Sequence, residues 1–530
     1  MAYATASPCG RVIAHVRDHE LLVYCLPESE TSRCAKVVTL HLTKQMQQDL
    51  LPNVKSMAWS HNTGFTSLLP DSSDASLHPD AAQCWLILAT PYRVVVLQLE
   101  VPDLYIKHSG TPIRTHTVAD FVFPAAFGEI TTCEFAFNSD SVLVLFNIAP
   151  QASILSLSQA RRDDVANRKF PASEGFALMR PTGHARNIEG AVLAILTREK
   201  CTDVVVVLER GRVISSFKPE TVDAQKIMWS PDEKPVLAIL DSAAFSTTVR
   251  FVTVHGHPLR MLELGQSTSI PAGPKLDFIG TGVSAVDWIK PATSFTTTTF
   301  AIGNGSRQVL LRSQNSSTMA LKTMIYHHPE RVDSSTTKIW DHIGHDKYRA
   351  QRNWDFETND AAEVQLLAVR PDGQGFASKV EDCPQVVFIW AISCRDPIVA
   401  IILQKPVRQL LWDKWSSSLV ITTSDAAASF HYWTEPSEAP RQIGIPNLKH
   451  CTSKRWKADW LWRLDARPSN ILQPPIIVSS KSHFDVVAAS KPGSCDFVSL
   501  LEHSTSLDLD ESVLHSTSLG NAHDGTSIFF

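Results

Sequence analysis

Histidine and aspartate side chains, which can ligate zinc, are densest between residues 327 and 360. The candidate ligands are His327, His328, His342, His345, Asp341 and Asp346. The spacing of His342 and His345 could place two imidazoles on one helical face, as a zinc site requires. No cysteine motif or H-E-x-x-H sequence accompanies them, and the surrounding segment is polar. The favoured interpretation is a solvated loop insertion without a metal.

Other sequences that could support catalysis lack the residues that would complete them. The tripeptide GNG at 303–305 has no third glycine and no following helix, so it predicts an Asn-Gly hairpin turn. The chain contains no G-x-x-x-x-G-K-[ST] and no G-x-S-x-G sequence. The pairs Asp163/Asp164 and Asp508/Asp510 lie in polar segments, where solvated charge is the ordinary state. We therefore expect no catalytic, cofactor or metal site, and a protein that is not an enzyme.

Three tryptophans near the C-terminal end leave two interpretations open. Trp456, Trp460 and Trp462 lie in KRWKADWLW at 454–462, beside basic residues. Trp460 and Trp462 would share one face of a strand. If these aromatic and basic side chains are exposed, they would form a binding site for a protein partner. Packing in the core of the last repeat is the alternative, and it is favoured because large aromatic side chains are mostly buried.

The elements that would position these residues follow a loose repeat of about 40 to 60 residues. Each copy runs from an apolar strand through an aromatic residue and a turn into a second apolar strand. This period, with short strands and tight turns, is typical of WD40-type β-propellers, which usually serve as protein-binding platforms. The clearest copies are VKSMAWSHNTG (54–64), AQKIMWSPDEKPVLAIL (224–240), VSAVDW (283–288), VQLLAVRPDGQGFAS (364–378) and PVRQLLWDKWSSSLVIT (406–422).

The turn chemistry and the tryptophans of these copies support four-stranded blades. In the sequence RPDG at 370–373, proline suits the second position of a type I turn and glycine the fourth. Tryptophan before such a turn is large enough to fill the space between two sheets. Further tryptophans end the next apolar strands. The predicted blade aromatics are Trp59, Trp229, Trp288, Trp390, Trp412 and Trp433.

Composition narrows the class of protein and of partner. The chain of 530 residues is 44% hydrophobic, as in ordinary globular proteins. A net charge of −5 gives no electrostatic case for binding nucleic acid or acidic lipid. No apolar run reaches the length of a membrane span, and the N-terminus lacks the features of a signal peptide. Ten cysteines without a C-x-x-C pair favour a reducing, intracellular compartment.

The repeat divides the chain into nine units and a tail. Propellers commonly have four to eight blades, so we expect an all-β propeller of about seven to nine four-stranded blades over 7–490. Loop insertions are expected near 69–82 and 327–360. The Ser/Thr/Asp-rich tail, 491–530, is expected to be disordered and dispensable for folding. The units are 7–48, 54–108, 129–172, 175–220, 223–265, 282–327, 363–404, 405–446 and 456–490.

Several of these copies resemble a known family. LTREKCTDVVVVL (196–208) and DAQKIMWSPDEKPVLAILD (223–241) resemble the middle blades of the WD-repeat protein eight family of spindle poles and centrosomes. VQLLAVRPDGQGFASKVEDCPQVVFIWAI (364–392) resembles that family's unusual blade, and PVRQLLWDKWSSSLVITT (406–423) continues the match. The resemblance covers about 7–489 and suggests a fungal-type member. Two departures are the residues after the strand-ending Trp390 and Trp433, which are Ala391 and Thr434 instead of aspartate, and a first unit that begins at its turn, where the family has one more strand upstream.

The resemblance implies a non-enzymatic scaffold at microtubule-organising centres. It implies a coiled-coil microtubule-anchoring protein as partner, with a minus-end-directed kinesin and the gamma-tubulin complex as further candidates. It implies a location in the cytoplasm, on the cytoskeleton at the spindle pole body, and a role in organising the mitotic spindle. Neither nucleic acid nor membrane is an expected partner. A propeller adaptor of another assembly, such as a ubiquitin-ligase substrate receptor or a trafficking adaptor, is the alternative.

Overall fold

Over its described residues, the computed structural model shows an all-β ring of nine sheets, here called blades one to nine, and one separate two-stranded pair. Each blade contains four strands that are consecutive in the chain, which confirms the prediction of an all-β propeller with about seven to nine four-stranded blades. The structure describes residues 3–7, 12–17, 19–26, 36–40, 42–60, 83–100, 115–137, 140–169, 176–179, 191–230, 236–242, 248–263, 283–289, 297–305, 307–315, 321–344, 347–356, 362–413, 416–434, 438–451, 453, 456–461, 474–480, 483–489 and 496–501.

Blades three to five lie within the predicted units, whereas the first strand of blade one and the fourth strand of blade two lie outside them. In each blade the first strand pairs with the second, the second with the third and the third with the fourth. Their strands are β1 (Tyr3–Ala6), β2 (Val12–Arg17), β3 (Glu20–Cys25), β4 (Lys36–Leu40), β5 (Ser56–Trp59), β6 (Gln83–Ala89), β7 (Arg93–Glu100), β8 (Thr115–Val122), β9 (Ile130–Phe135), β10 (Ser141–Phe146), β11 (Gln151–Ser156), β12 (Arg161–Asn167), β13 (Phe176–Met179), β14 (Val192–Glu199), β15 (Thr202–Glu209), β16 (Arg212–Phe217), β17 (Ala224–Trp229), β18 (Val236–Asp241), β19 (Thr248–Thr253) and β20 (Pro258–Glu263).

Blades six to nine include one enlarged sheet. Blade seven is formed by β29–β32 and carries two additional strands, β26 and β27, on its outer edge. The remaining strands are β21 (Val283–Ile289), β22 (Thr297–Asn304), β23 (Gln308–Asn315), β24 (Leu321–His327), β25 (Arg331–Asp333), β26 (Lys338–Gly344), β27 (Lys347–Gln351), β28 (Asn353–Asp355), β29 (Val364–Val369), β30 (Gly375–Val380), β31 (Val386–Ala391), β32 (Val399–Ile402), β33 (Val407–Trp412), β34 (Leu419–Thr423), β35 (Ser429–Trp433), β36 (Arg441–Gly444), β37 (Lys457–Trp460), β38 (Ile476–Ser479), β39 (Phe484–Ala489) and β40 (Phe497–Ser499).

Helix is confined to a few short segments in the described residues. One π-helical turn and three 3-10 turns occur, each in a connection between blades or just before a first strand. None has the length and hydropathy that a membrane-spanning helix requires. Their bounds are Met46–Leu50, Leu51–Asn53, Ala125–Phe127 and Pro446–Leu448.

Hydrophobic packing between neighbouring blades closes the ring. A separate cluster of buried side chains fills each seam, from blades one and two through blades eight and nine. The ninth cluster joins Ile13 and Tyr24 of blade one to Phe484 and Val486 of blade nine. Because every blade contains four consecutive strands, packing at this seam closes the ring without exchange of a strand.

The second and third strands of the blades are apolar because both of their faces are covered. In β10 and β34, for example, nearly every residue is buried, which suits runs of Val, Leu and Ile. The turn predicted at 370–373 is also present. The backbone N–H of Gly373 donates to the carbonyl oxygen of Arg370, 2.8 Å away, as a turn with proline at its second position requires.

The interpretation of 327–360 as a loop is wrong. This segment forms the hairpin β26–β27 and the separate pair β25–β28. Strand β26 runs parallel to β32 and extends blade seven, and its Ile339 is buried in the seam between blades six and seven. The polar composition obscured the apolar alternation of these short strands. The other predicted insertion, 69–82, lies outside the described residues.

Strands extend beyond both predicted limits of the propeller, 7 and 490. At the N-terminal end, β1 precedes the first turn and pairs with β2, so an upstream strand is present in blade one. In the segment expected to be a disordered tail, β40 pairs with β39, and Leu501 is buried. This strand has three residues and lies in a Ser/Asp-rich segment, so the composition of the segment did not predict it. Residues 502–530 lie outside the described residues.

Candidate interaction site

Four tryptophans end first strands and connect neighbouring blades. Trp59, Trp229, Trp412 and Trp460 each donate the indole N–H to a carbonyl oxygen in the first strand of the preceding blade. The N···O distances are 3.0, 3.0, 2.9 and 3.3 Å. Trp412 is buried, whereas Trp229 remains partly exposed. These tryptophans therefore stabilise the ring from within.

Trp288 occupies the corresponding strand of blade six but makes different contacts. Its ring packs against Phe251 and Phe300, with centroids 5.6 and 4.7 Å away, and its indole N–H has no acceptor among the described residues. The neighbouring Asp287 provides the contact between blades, because its carboxylate accepts the N–H of Val369, 2.8 Å away in blade seven. Burial raises the pKa of Asp287 to about 6.

Trp390 belongs to a buried hydrogen-bonded chain that the sequence analysis did not identify. Its indole N–H donates to Ser378 Oγ at 2.9 Å, and Ser378 Oγ lies 2.8 Å from Nε2 of His328. Nδ1 of His328 lies 2.6 Å from the carbonyl oxygen of Arg307, which can only accept, so Nδ1 carries the proton and Nε2 accepts from Ser378. Burial lowers the pKa of His328 to about 3, which keeps the imidazole neutral.

The tryptophans proposed as a partner-binding cluster pack inside the ring. Trp456 and Trp460 are buried in the seam between blades eight and nine, which a partner cannot reach in the folded ring. Core packing is thus the correct interpretation for these two, whereas Trp462 lies outside the described residues. Trp433 is buried as well and packs edge-on against Trp412, with centroids 6.1 Å apart.

The candidate zinc ligands do not converge on a site. His342 is buried, stacks on Tyr348 at 4.9 Å and meets His431 edge-on at 5.0 Å. Asp341 pairs with Arg349 instead. No group of His, Cys, Asp and Glu suited to a metal ion occurs among the described residues, which exclude His345 and Asp346. The expectation of a solvated loop is wrong for His328 and His342.

The remaining predicted sites have ordinary structural roles. The GNG tripeptide begins the hairpin between β22 and β23, and Asn304 Oδ1 accepts the N–H of Gln308 at 2.9 Å. Asp163 and Asp164 are partly exposed in β12 and pair with Arg161 and Arg162. Asp508 and Asp510 lie outside the described residues.

A buried cluster of ion pairs around Lys169 was also not predicted from the sequence. Nζ of Lys169, which is almost fully buried, lies 2.9 Å from Asp203, 2.7 Å from Asp223 and 2.6 Å from the carbonyl oxygen of Ala224. The hydrogen bond from Lys169 holds the pKa of Asp223 below its usual value. No spacing rule predicted this cluster, because its members come from three separate strands and connections.

The surface feature that most favours partner binding lies between blades two and three. The stretch VFPAAFG at 122–128, which ends β8 and forms most of the connection to β9, carries no charged side chain. Phe123 is buried, but Val122 is 74% exposed and Pro124, Ala125 and Ala126 are exposed. The absence of charge was visible in the sequence, but the exposure was not.

Turns of both blades extend this exposed apolar connection. The N–H of Phe123 donates to the carbonyl oxygen of Tyr92 at 2.8 Å, and the N–H of Ala149 donates to that of Phe127 at 2.9 Å. These bonds place the exposed side chains of Tyr92 and Ile148 beside the connection. Contiguous exposed apolar residues mark binding sites in many proteins. We call Tyr92, Val122, Pro124, Ala125, Ala126 and Ile148 the apolar surface.

Ion pairs border the apolar surface. Lys55 pairs with Glu129 at 2.6 Å, Arg93 with Asp120 at 2.6 Å, and Arg162 with Asp164 at 2.8 Å. The Arg162 guanidinium also lies over the ring of Phe127, 4.5 Å from its centroid, as in cation–π contacts. A charged rim around an apolar centre is the common anatomy of a protein–protein interface.

Comparisons with known proteins do not assign a family. No protein-family model matches the sequence, and no curated protein matches it significantly. Among solved structures, the chain is similar to one in the crystal structure of the mitotic checkpoint complex, with a TM-score of 0.36, 10% identity, and coverage of 66% of this chain and 87% of that one. It is also similar to Kluyvelomyces marxianus Hsv2, with a TM-score of 0.32, 11% identity, and coverage of 67% and 88%. Scores this low carry no argument about function.

Proposed function

We propose that this protein is a non-catalytic scaffold at the microtubule-organising centre, where it tethers microtubule minus ends at a spindle pole body. The observation that carries the scaffold role is the apolar surface, whose side chains are exposed although they are not needed to fill the seam beneath them. The spindle-pole role rests on the family resemblance of 364–392 and 406–423. These stretches lie in blades seven and eight.

The proposed partner is a coiled-coil microtubule-anchoring protein, with a minus-end-directed kinesin and the gamma-tubulin complex in the same assembly. A propeller suits this role because its connections present several independent surfaces on a rigid ring. The proposed location is the cytoplasm and the cytoskeleton, at the spindle pole body.

Localisation of a tagged full-length chain in dividing cells tests this proposal. We expect discrete signals that coincide with spindle poles and persist through mitosis. A variant with Val122→Asp and Ile148→Asp should lose these signals, whereas the control Val213→Asp with Leu259→Asp, on exposed residues of blades four and five, should keep them. Diffuse or vesicular signal from the wild-type chain would contradict the proposal and favour an adaptor of another assembly.

A further inference from the structure

The geometry of the apolar surface points to a specific kind of occupant. We propose that it binds an amphipathic α-helix of a partner protein, with lysine or arginine on both sides of the helix's apolar stripe. This inference deepens the proposed function and rests on it for the identity of the assembly.

The backbone of the connection at 123–129 is unsuited to pairing with an added strand. Residues Ala125–Phe127 form a 3-10 turn, in which the N–H of Phe127 donates to Pro124 and that of Gly128 donates to Ala125, both at 3.0 Å. Pro124 has no N–H to offer. Glu129 exchanges hydrogen bonds with Asn147, through its N–H to Oδ1 and through its carbonyl oxygen.

A partner strand needs an extended edge with free groups at alternate residues, and this connection is instead a turn whose groups bond within the ring. Binding at this connection must therefore depend on side chains. A helix suits this, because its backbone hydrogen bonds are made internally and its apolar residues at i, i+3, i+4 and i+7 form one stripe. Tyr92, Val122 and Ile148 provide the apolar contact for that stripe.

The charged rim favours basic flanks. In all three bordering ion pairs the carboxylate is more exposed than the cation, most clearly for Asp164, at 46% against 25% for Arg162. Asp49, which is exposed, adds a further negative charge beside Arg93. Together with Asp49, the rim therefore presents more exposed carboxylate than exposed cation to a partner. Complementary charge then requires lysine or arginine on the helix, and the same carboxylates disfavour an anionic lipid surface.

Binding of a defined peptide to the purified full-length protein tests this proposal without any spindle-pole component. The probe is a fluorescent helical peptide with leucines at i, i+3, i+4 and i+7 and lysines on both sides of the stripe. One comparison peptide has glutamates in place of the lysines, and another has the same composition in scrambled order. Fluorescence anisotropy gives each dissociation constant at two salt concentrations.

We expect the lysine peptide to bind wild-type protein and to bind the double variant Val122→Asp with Ile148→Asp about tenfold more weakly or worse. The matched control, Val213→Asp with Leu259→Asp, should bind as wild type does. The glutamate peptide should bind more weakly than the lysine peptide, and added salt should narrow that difference. The milder pair Val122→Ser with Ile148→Ser provides the test if the aspartate variant does not fold.

Equal binding by the surface variants and wild type, or equal binding of the lysine and scrambled peptides, would overturn the proposal. A wild-type dimer that the surface variant cannot form would assign the surface to a second copy of the chain and would also overturn it. So would binding to phosphatidylserine vesicles that depends on the same residues. Failure of spindle-pole localisation with intact peptide binding would instead contradict only the proposed function.

Discussion

The indole N–H of Trp412 donates to the carbonyl oxygen of Ala368, 2.9 Å away in the first strand of the preceding blade. Trp59, Trp229 and Trp460 repeat this contact at three other seams. A side chain that the repeat pattern predicts as filler between sheets therefore also provides a hydrogen bond between blades. Packing and hydrogen bonding can be separated by substitution.

Truncation of Trp412 should destabilise the ring strongly. We expect Trp412→Ala to lower the free energy of unfolding by about 3–5 kcal/mol, because a large buried side chain is lost. Trp412→Phe, which retains an aromatic ring but loses the N–H, should cost less, with about 1 kcal/mol from the hydrogen bond. Denaturant titration of both variants measures these costs. Equal losses for the two variants would contradict a separate contribution from packing.

Removal of the Ser378 hydroxyl should destabilise blade seven. Ser378→Ala leaves both the indole N–H of Trp390 and Nε2 of His328 without their shared partner inside the core. A buried polar group without a partner lowers the free energy of unfolding by about 1–3 kcal/mol, and we expect Ser378→Ala to lower it within that range. Ser393→Ala, at an exposed serine of the same blade, is the control and should leave the unfolding midpoint unchanged.

Lys169 should contribute more to the free energy of unfolding than any exposed lysine does. Lys169→Met removes the cation nearest to Asp203, which is then left buried with Arg198, 4.0 Å away, as its remaining cationic partner. Removing one partner of a buried ion pair lowers the free energy of unfolding by about 3–5 kcal/mol. The control Lys218→Met, at an exposed position, should leave the free energy of unfolding almost unchanged. Asp203→Asn added to Lys169→Met should recover part of the loss. Thermal and denaturant unfolding of the three variants check this order.

The buried carboxyl of Asp287 should make stability fall between about pH 4 and pH 6. Because burial raises its folded pKa to about 6, above its usual value of 3.8, the unfolded chain releases this proton at lower pH than the folded protein does. The free energy of unfolding therefore decreases as pH rises through this range. Above this range, Asp287 lowers it no further. Asn cannot ionise, so Asp287→Asn should be more stable than wild type at pH 7, by up to about 3 kcal/mol.

Unfolding of Asp287→Asn and wild type across pH 4 to 8 measures this difference. It should vanish near pH 4 and reach its full value above pH 6. The exposed Asp396→Asn gives the baseline for loss of a surface carboxylate. A difference that stays constant over the whole range would show that Asp287 does not titrate as its burial requires.

Local patterns in the sequence predicted the blades well. Apolar strands separated by turns such as RPDG at 370–373 define each blade through contacts close in the chain, so nine units were recognisable. Short strands in polar surroundings, such as β26 and β40, were missed, because their stability comes from pairing with a distant or neighbouring strand rather than from their own composition. A sequence pattern therefore predicts a strand well where the contacts that stabilise the strand are close in the chain.

The candidate site was harder to predict for the same reason. Trp456 and Trp460 carry a sequence signal that fits either a surface or a core, and only the packing of blade nine against blade eight decides between them. The apolar surface combines Tyr92 and Ile148, from two hairpin turns, with Val122 at the end of β8. No single segment contains that combination, although the uncharged run at 122–128 is one part of it.

Reciprocal co-purification of the tagged full-length chain from mitotic cells tests the central claim most directly. The proposed function predicts recovery of a coiled-coil spindle-pole protein in amounts comparable to the tagged chain, and loss of that protein with Val122→Asp and Ile148→Asp. The control Val213→Asp with Leu259→Asp should recover it as wild type does. Recovery of ubiquitin-ligase or vesicle-coat subunits without any spindle-pole protein would contradict the claim.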